Sequence, residues 1–215
     1  MTASIERASP LSSVSDRLAA GIATSAAFSL RELPFMTQID LRGSYADKAF
    51  LMALNADLGC PLAAANTWSG DPLCATLWLG PDEWLIVTED GRDAPIERAL
   101  RHALGGLHYS ITDVSASRVI LEISGKSART VLAKGCSLDL HAQSFTPLKC
   151  AQTLLAKAQI ILQCMDDRPT FRLYVRNSFA HYVVEWLLDA AAEVSASEAL
   201  DADRIATRLN AAAGR

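Results

Sequence analysis

The stretch Cys150–Trp186, CAQTLLAKAQIILQC followed after a short polar break by FRLYVRNSFAHYVVEWL, constrains the fold more than any other part of the chain. Its segments Cys150–Ala156, Ile160–Cys164 and Phe171–Val175 are β-branched, aromatic or alternating, and the breaks between them are short, as strands joined by tight connections require. After Val175 the period lengthens to between three and four. Phe179, Val183, Trp186, Leu187 and Ala190 then fall on one face of a helix, with Asn177 or Ser178 placed to cap it. A sheet with a helix laid on one side satisfies both periods.

Upstream, Phe35–Leu41 reads as a strand, and Ser44 as the cap of a helix whose face carries Phe50, Leu51, Leu54 and Leu58 before Gly59 and Pro61 stop it. Ala75–Leu79 and Trp84–Val87 flank Gly80-Pro81-Asp82-Glu83, a connection of hairpin type. Asp93 with Pro95 opens a second helix with Ile96, Leu100, Ala103 and Leu104 on its buried stripe, ended by Gly105-Gly106. His108–Val114 is extended again. The order is β-α-β-β-α-β, the split arrangement of ferredoxin-like folds. A second round begins with strand Arg118–Ile123 and helix Lys126–Lys134, for which Gly135 reads as a stop with positive φ. The expected architecture is therefore α+β, two linked ferredoxin-like halves at about 35–114 and 115–192.

Residues 1–34 are rich in Ser and Ala without a sustained period, and read as an arm rather than a core element. Residues 193–215 read as a peripheral tail, where Glu198–Ala212 can form a helix with a sparse apolar face of Leu200, Ile205 and Leu209. Half of the 215 residues are hydrophobic, enough for a proper core. With 20 basic against 24 acidic side chains and no basic run, the chain has nothing to neutralise several phosphates at once, so nucleic acid is not an expected partner. No apolar run approaches the roughly 20 residues of a membrane-spanning helix. Leu18–Phe28 starts late, follows Asp16 and Arg17, and reads as mature chain rather than a signal peptide. Cys60, Cys74, Cys136, Cys150 and Cys164 are odd in number and include no Cys-x-x-Cys, which points to buried, reduced thiols in a cytoplasm rather than disulfides or a zinc site.

Several constellations invite chemistry and fall short of it. Gly125-Lys126-Ser127 sits at a strand-to-helix turn, but the position where a phosphate-binding loop needs its first glycine is Ile120. Lys134-Gly135-Cys136 is similar to a Lys-Gly-Cys-Tyr segment of folate-binding proteins linked to iron–sulfur cluster assembly, yet Ser137-Leu138-Asp139-Leu140 follows. His102, His108, His141 and His181 show no metal-ligand spacing, and His181 lies off the apolar stripe, facing solvent or a partner. Asp82 and Glu83 are explained by turn chemistry, and neither Gly-x-Ser-x-Gly nor Gly-x-Gly-x-x-Gly occurs. Trp78 and Trp84 face each other across the hairpin, Trp186 belongs to the core, and Trp68 stands in a loop as a candidate interface anchor. No catalytic, cofactor-binding or metal-ligating residue is assigned.

The run CAQT…FRLYVRNSFAHYVVEWL, with LGPDEWLIV at Leu79–Val87 and DVSASRVILEISGKSARTVLAKGCSLDLH at Asp113–His141, resembles the gamma subunit of heterotetrameric sarcosine oxidase, from about Leu41 to about Ala192. The chain departs from that pattern at Lys149 and Ala63–Ala65. The resemblance implies a fold like the folate-binding domain of aminomethyltransferases. It also implies a structural subunit without a catalytic site, in a cytoplasmic complex that oxidises sarcosine to glycine with release of hydrogen peroxide and passes the one-carbon unit to tetrahydrofolate. Alpha, beta and delta subunits are the implied partners, and FAD, FMN, NAD, the folate site and zinc are implied to lie in them rather than here. A free-standing folate-binding or aminomethyltransferase-like protein is the alternative.

Overall fold

The computed structural model describes residues 7–15, 18, 27–57 and 61–194. Most of Leu18–Phe28, together with Leu58, Gly59, Cys60 and the expected helix Glu198–Ala212, lies outside the described residues. Among the described residues, ten strands form two five-stranded antiparallel sheets. The strands are β1 Ser29–Leu33, β2 Thr37–Gly43, β3 Trp68–Gly70, β4 Cys74–Gly80, β5 Glu83–Thr88, β6 Tyr109–Asp113, β7 Arg118–Ser124, β8 Cys150–Leu155, β9 Ala158–Cys164 and β10 Phe171–Arg176. The helices described in full are α1 Lys48–Asp57, α2 Asp93–Ala103 and α3 Ala128–Ala133, and α4 is described over residues 180–194, which a 3-10 turn at Asn177–Phe179 leads into.

One sheet has the order β3-β4-β5-β2-β6, the other β1-β7-β10-β9-β8. In the first, β2-α1-β4-β5-α2-β6 supplies a ferredoxin-like unit whose strands lie in the order last, first, third, second, with β3 added at one edge. The second sheet has the same order if β7 is first, β9 second, β10 third and β1 last, with β8 as the added edge. The two halves are thus alike, but the second takes its final strand from the N-terminal side of the first. That corrects the reading of residues 1–34 as an arm outside the core. Ser29–Leu33 pairs with β7 from Ser29↔Ser124 to Leu33↔Ile120, and Leu11, Phe28 and Leu30 are buried against α3 and α4.

Four layers result. Alternation along each strand sends one set of side chains to the helices and the other to the opposite sheet. Val119, Leu121 and Ile123 of β7 pack with Val131 and Leu132 of α3 and Val183 and Leu187 of α4, whereas Ile120 points into a second layer with Leu77, Leu85, Ile161 and Tyr174. Ile39, Leu41, Trp84 and Ile86 meet Phe50 and Leu54 of α1 and Ile96 and Leu100 of α2.

Local details differ from expectation at identifiable places. The cap of α1 is Asp47, whose carboxylate accepts from Ala49 N at 2.8 Å and Phe50 N at 3.4 Å, so a carboxylate one turn nearer the helix replaces Ser44. Phe35 does not begin a strand: it takes φ 59° in the turn from one sheet to the other. Gly135 does not have positive φ; a Cβ there would meet the Trp186 indole at 2.5 Å, so its smallness serves packing of α4 and not helix termination. The buried stripe of α4 runs through Ala180, Val183, Val184, Leu187, Ala190 and Ala191, leaving Phe179 outside. Asn177 donates its amide to Ala116 O at 2.6 Å instead of capping the helix.

Candidate functional site

The groups that looked reactive in sequence are engaged in holding the fold. At the Gly125-Lys126-Ser127 turn the amide of Ser127 donates to Ala27 O at 2.9 Å, and a Cβ at Gly125, where φ is +107°, would lie 2.4 Å from that carbonyl. The chain's own backbone occupies the place an anion would need. Gly125→Ala is accordingly expected to cost about 2 kcal/mol through backbone strain, read as a drop in the urea midpoint with unchanged m. Lys134 donates to Ala190 O at 2.6 Å and pairs with Glu193 at 2.9 Å, tying α3 to α4 rather than activating buried Cys136. His181 lies 2.9 Å from Pro10 O and 3.3 Å from Ser13 Oγ, against the N-terminal segment of the same chain. Among the described residues no group of three or more His, Cys, Asp or Glu is arranged to hold a metal ion.

Trp78 and Trp84 are register partners, as expected, and the Trp84 indole donates to Ala63 O at 3.0 Å from a fully buried position. Trp68 anchors an interface, but an internal one. It is buried between the sheets and its indole donates to Cys164 O at 2.8 Å, while its backbone N–H donates to Leu148 O at 2.8 Å.

Burial between the sheets also sets the behaviour of Cys150, whose thiol lies 3.0 Å from Thr67 O. Desolvation pushes its pKa from the ordinary 9.0 up to about 12, because a thiolate there would lose its water. The folded state therefore holds this proton more tightly than the unfolded chain. Its contribution to stability is complete below about pH 9 and is lost as pH climbs toward about 12. Native chain at pH 8 should leave Cys150 unalkylated, and stability measured from pH 9 upward should fall less steeply in Cys150→Ala.

Recesses and a polar seam remain. At the junction of the halves a cavity of about 420 Å³ is lined by residues that include Arg7, Glu32, Gln38, Asp113 and Asn177. A wider groove of about 940 Å³ runs past Tyr45, Ala64, Trp78, Pro81, His108 and Tyr109, and Tyr45 stacks on Trp84 with ring centroids 6.0 Å apart. Along the seam Arg42 pairs with Glu83 at 2.7 Å and with Asp40 at 3.7 Å; burial first, and the Asp40 charge second, raise the Glu83 pKa. Burial and the nearby Arg176 charge lower that of Arg118. Outside, Met52, Leu73 and Leu148 are more than half exposed. Sequence reasoning passed over Gln38 and Glu122 because a polar residue alternating with apolar ones reads as solvent-facing, and it read Asn177 only as a helix cap. The near-continuous apolar runs VILEI, around Glu122, and FRLYV, on the neighbouring strand, were the signal that both faces of β7 and β10 are covered.

Two antiparallel sheets face to face under outer helices, with polar seams inside and apolar side chains outside, define an α+β protein of two ferredoxin-like halves. Aminomethyltransferase T of the glycine cleavage system from Bartonella henselae shares the fold, with a TM-score of 0.57 at 17% identity over 80% of this chain and 48% of that one. A much nearer structure is that of the heterotetrameric sarcosine oxidase from Corynebacterium sp. U-96 in complex with pyrrole 2-carboxylate, one chain of which matches with a TM-score of 0.80 and 34% identity over 88% of this chain and 96% of its own length. The sarcosine oxidase gamma subunits of Corynebacterium sp. (strain U-96) and Arthrobacter sp. are 36% and 35% identical, covering 84% and 87% of this chain and 87% and 91% of theirs. The family described as sarcosine oxidase, gamma subunit, matches residues 42–193. The chain belongs to the sarcosine oxidase gamma subunit family.

Proposed function

We propose that this chain is a structural subunit of a heterotetrameric sarcosine oxidase and carries no catalytic site of its own. The observation that carries the reading is the match, over nearly the whole of both chains, to a subunit of such an assembly. Three further observations support it. The turn that resembles a phosphate cradle is filled by the chain's own backbone, the buried thiol at Cys150 is held protonated, and large apolar side chains such as Met52 and Leu73 stand exposed where companion subunits would cover them. In this reading alpha, beta and delta subunits are the partners. FAD, FMN, NAD, tetrahydrofolate and zinc reside in them, the complex works in the cytoplasm, and residues 193–215 flank the domain that docks.

Co-expression of the chain with the other subunits tests this directly. The expected result is co-purification in equal stoichiometry, with the chain expressed alone colourless and inactive toward sarcosine. Flavin absorbance or sarcosine turnover by the lone chain would overturn the proposal, and saturable heat on titration of the lone chain with tetrahydrofolate would favour a free-standing folate-binding protein.

A further inference from the structure

The face of the second sheet that elsewhere lies against the first is left open at one end. Alternation and register set rows of side chains across β7, β10, β9 and β8 on that face: Ile120, Tyr174, Ile161 and Gln152, and one row further out Arg118, Arg176, Gln159 and Leu154. In the inner row Ile120, Tyr174 and Ile161 are buried. In the outer row Arg176, Gln159 and Leu154 are exposed, and Arg118 is half-buried.

The outer row begins with two cations side by side. Arg118 and Arg176 are register partners, and because Asn177 N donates to Ser117 O at 3.2 Å they occupy a non-hydrogen-bonded position, where facing side chains come closest. Like charges directly opposite destabilise a sheet. Further along the same two strands Glu122 faces Arg172, so matched charge suits this face and is missing only here. Among the described residues no carboxylate lies within ion-pair distance of either outer guanidinium, and neither has a hydrogen-bond acceptor. Burial and the Arg176 charge both disfavour the Arg118 cation, yet its nitrogens are not sealed from solvent. Asp40 and Glu83, whose field reaches Arg118, are held by Arg42 at 3.7 and 2.7 Å. Three arginines against two carboxylates leave one cation unmatched.

A recess of about 360 Å³ lies over this row, lined by both arginines together with Gln152, Leu154 and Gln159. It far exceeds the roughly 30 Å³ share of one water molecule. A carboxylate supplies the single negative charge that is missing, and its two coplanar oxygens match the fork of a guanidinium. A doubly charged phosphate would set its second charge against Asp40 and Glu83. Leu154, 49% exposed, offers cover to a short carbon chain.

We propose that Arg118 and Arg176 together bind the carboxylate of a small organic acid in this recess, with the carbon body of the acid lying over Gln159 and Leu154. This chain alone builds the site, whatever role it has in an assembly.

Sodium butyrate added to the full-length chain, against butyramide as its uncharged counterpart and sodium chloride at matched ionic strength, tests the proposal. Butyrate is expected to raise Tm saturably and to receive saturation transfer at its methyl protons, whereas butyramide does neither and chloride gives no saturable rise. Arg176→Gln, at an exposed residue without a hydrogen bond, should weaken butyrate binding about tenfold. It should leave Tm in chloride unchanged or higher, because it removes a like-charge contact, whereas an arginine with a merely structural role would lower that Tm. Arg118→Gln should abolish the saturable response, and Arg176→Gln keeps the test decisive if that variant fails to fold. Equal responses to butyrate and butyramide, no saturable response to butyrate, tighter binding of inorganic phosphate than of butyrate, or undiminished binding in Arg176→Gln would each overturn it.

Discussion

Replacing Glu122 by alanine is expected to destabilise the chain by about 3–5 kcal/mol, the range for breaking a buried ion pair from one side. Arg31, Glu122 and Arg172 are register partners on three neighbouring strands, β1, β7 and β10, so a carboxylate sits between two guanidiniums in a single row across the sheet. The two ends of the row are not equivalent. Arg172 has a side chain only 9% exposed, lies 3.2 Å from Glu122 Oε2, and donates across the inter-sheet layer to Pro72 O at 3.1 Å. Arg31 is 63% exposed, and its Nε donates to Glu122 Oε1 at 2.8 Å from the rim. Without Glu122 the Arg172 cation remains where water cannot reach it, while Arg31 simply turns outward.

Arg31→Ala should therefore cost under about 1 kcal/mol. The paired change Glu122→Leu with Arg172→Met should recover most of the loss, because no unmatched charge is left inside. Urea unfolding of the wild type, Glu122→Leu, Arg172→Met and the paired variant closes the cycle, and a loss below about 1 kcal/mol in Glu122→Ala would show that Arg172 finds water or another anion.

That row illustrates what the sequence discloses and what it withholds. The helix-facing sides of the strands were legible, because Val119, Leu121 and Ile123 or Phe171, Leu173 and Val175 alternate in a way only strands satisfy. So was the β-α-β-β-α-β order of the first half, where each connection is short and local. β1 was not, since Ser-Leu-Arg-Glu-Leu shows one firmly buried residue, Leu30, and its partner β7 is distant in sequence. A strand defined by non-local pairing carries little local signature. The Gly135 explanation failed for a related reason. A glycine after a helix suggests positive φ, and only the packed position of Trp186 reveals that the constraint is steric. The junction between the halves was unreadable because its polar contacts are a property of neighbours: Gln38 and Asn177 become distinctive only once the carbonyls of Arg118 and Ala116 are brought to their amide nitrogens.

Trp68→Ala is the second large effect expected, about 3–5 kcal/mol, and it should act specifically on the junction between the halves. Trp68 belongs to the first sheet through β3, yet the groups it engages, Cys164 O of β9 and Leu148 O just before β8, belong to the second half, and Cys150 N donates back to Asn66 O at 3.1 Å. The indole is one of the few large side chains in the layer shared with Leu77, Leu85, Ile161 and Tyr174. Alanine leaves a void there that two stiff sheets cannot close, because each is fixed from its other face by helices. Phenylalanine is the informative control. It keeps most of the apolar area and forfeits only the indole hydrogen bond; Cys164 O still accepts from Leu148 N at 3.2 Å, so no buried carbonyl is stranded and the loss should stay near 1 kcal/mol. Because the void lies between the halves, amide exchange should accelerate in β3, β4 and β8 of Trp68→Ala while β7 and β10, sealed against α3 and α4, keep their protection. Uniform acceleration in all strands would mean that the two halves unfold as a single unit, and that Trp68 contributes bulk rather than attachment.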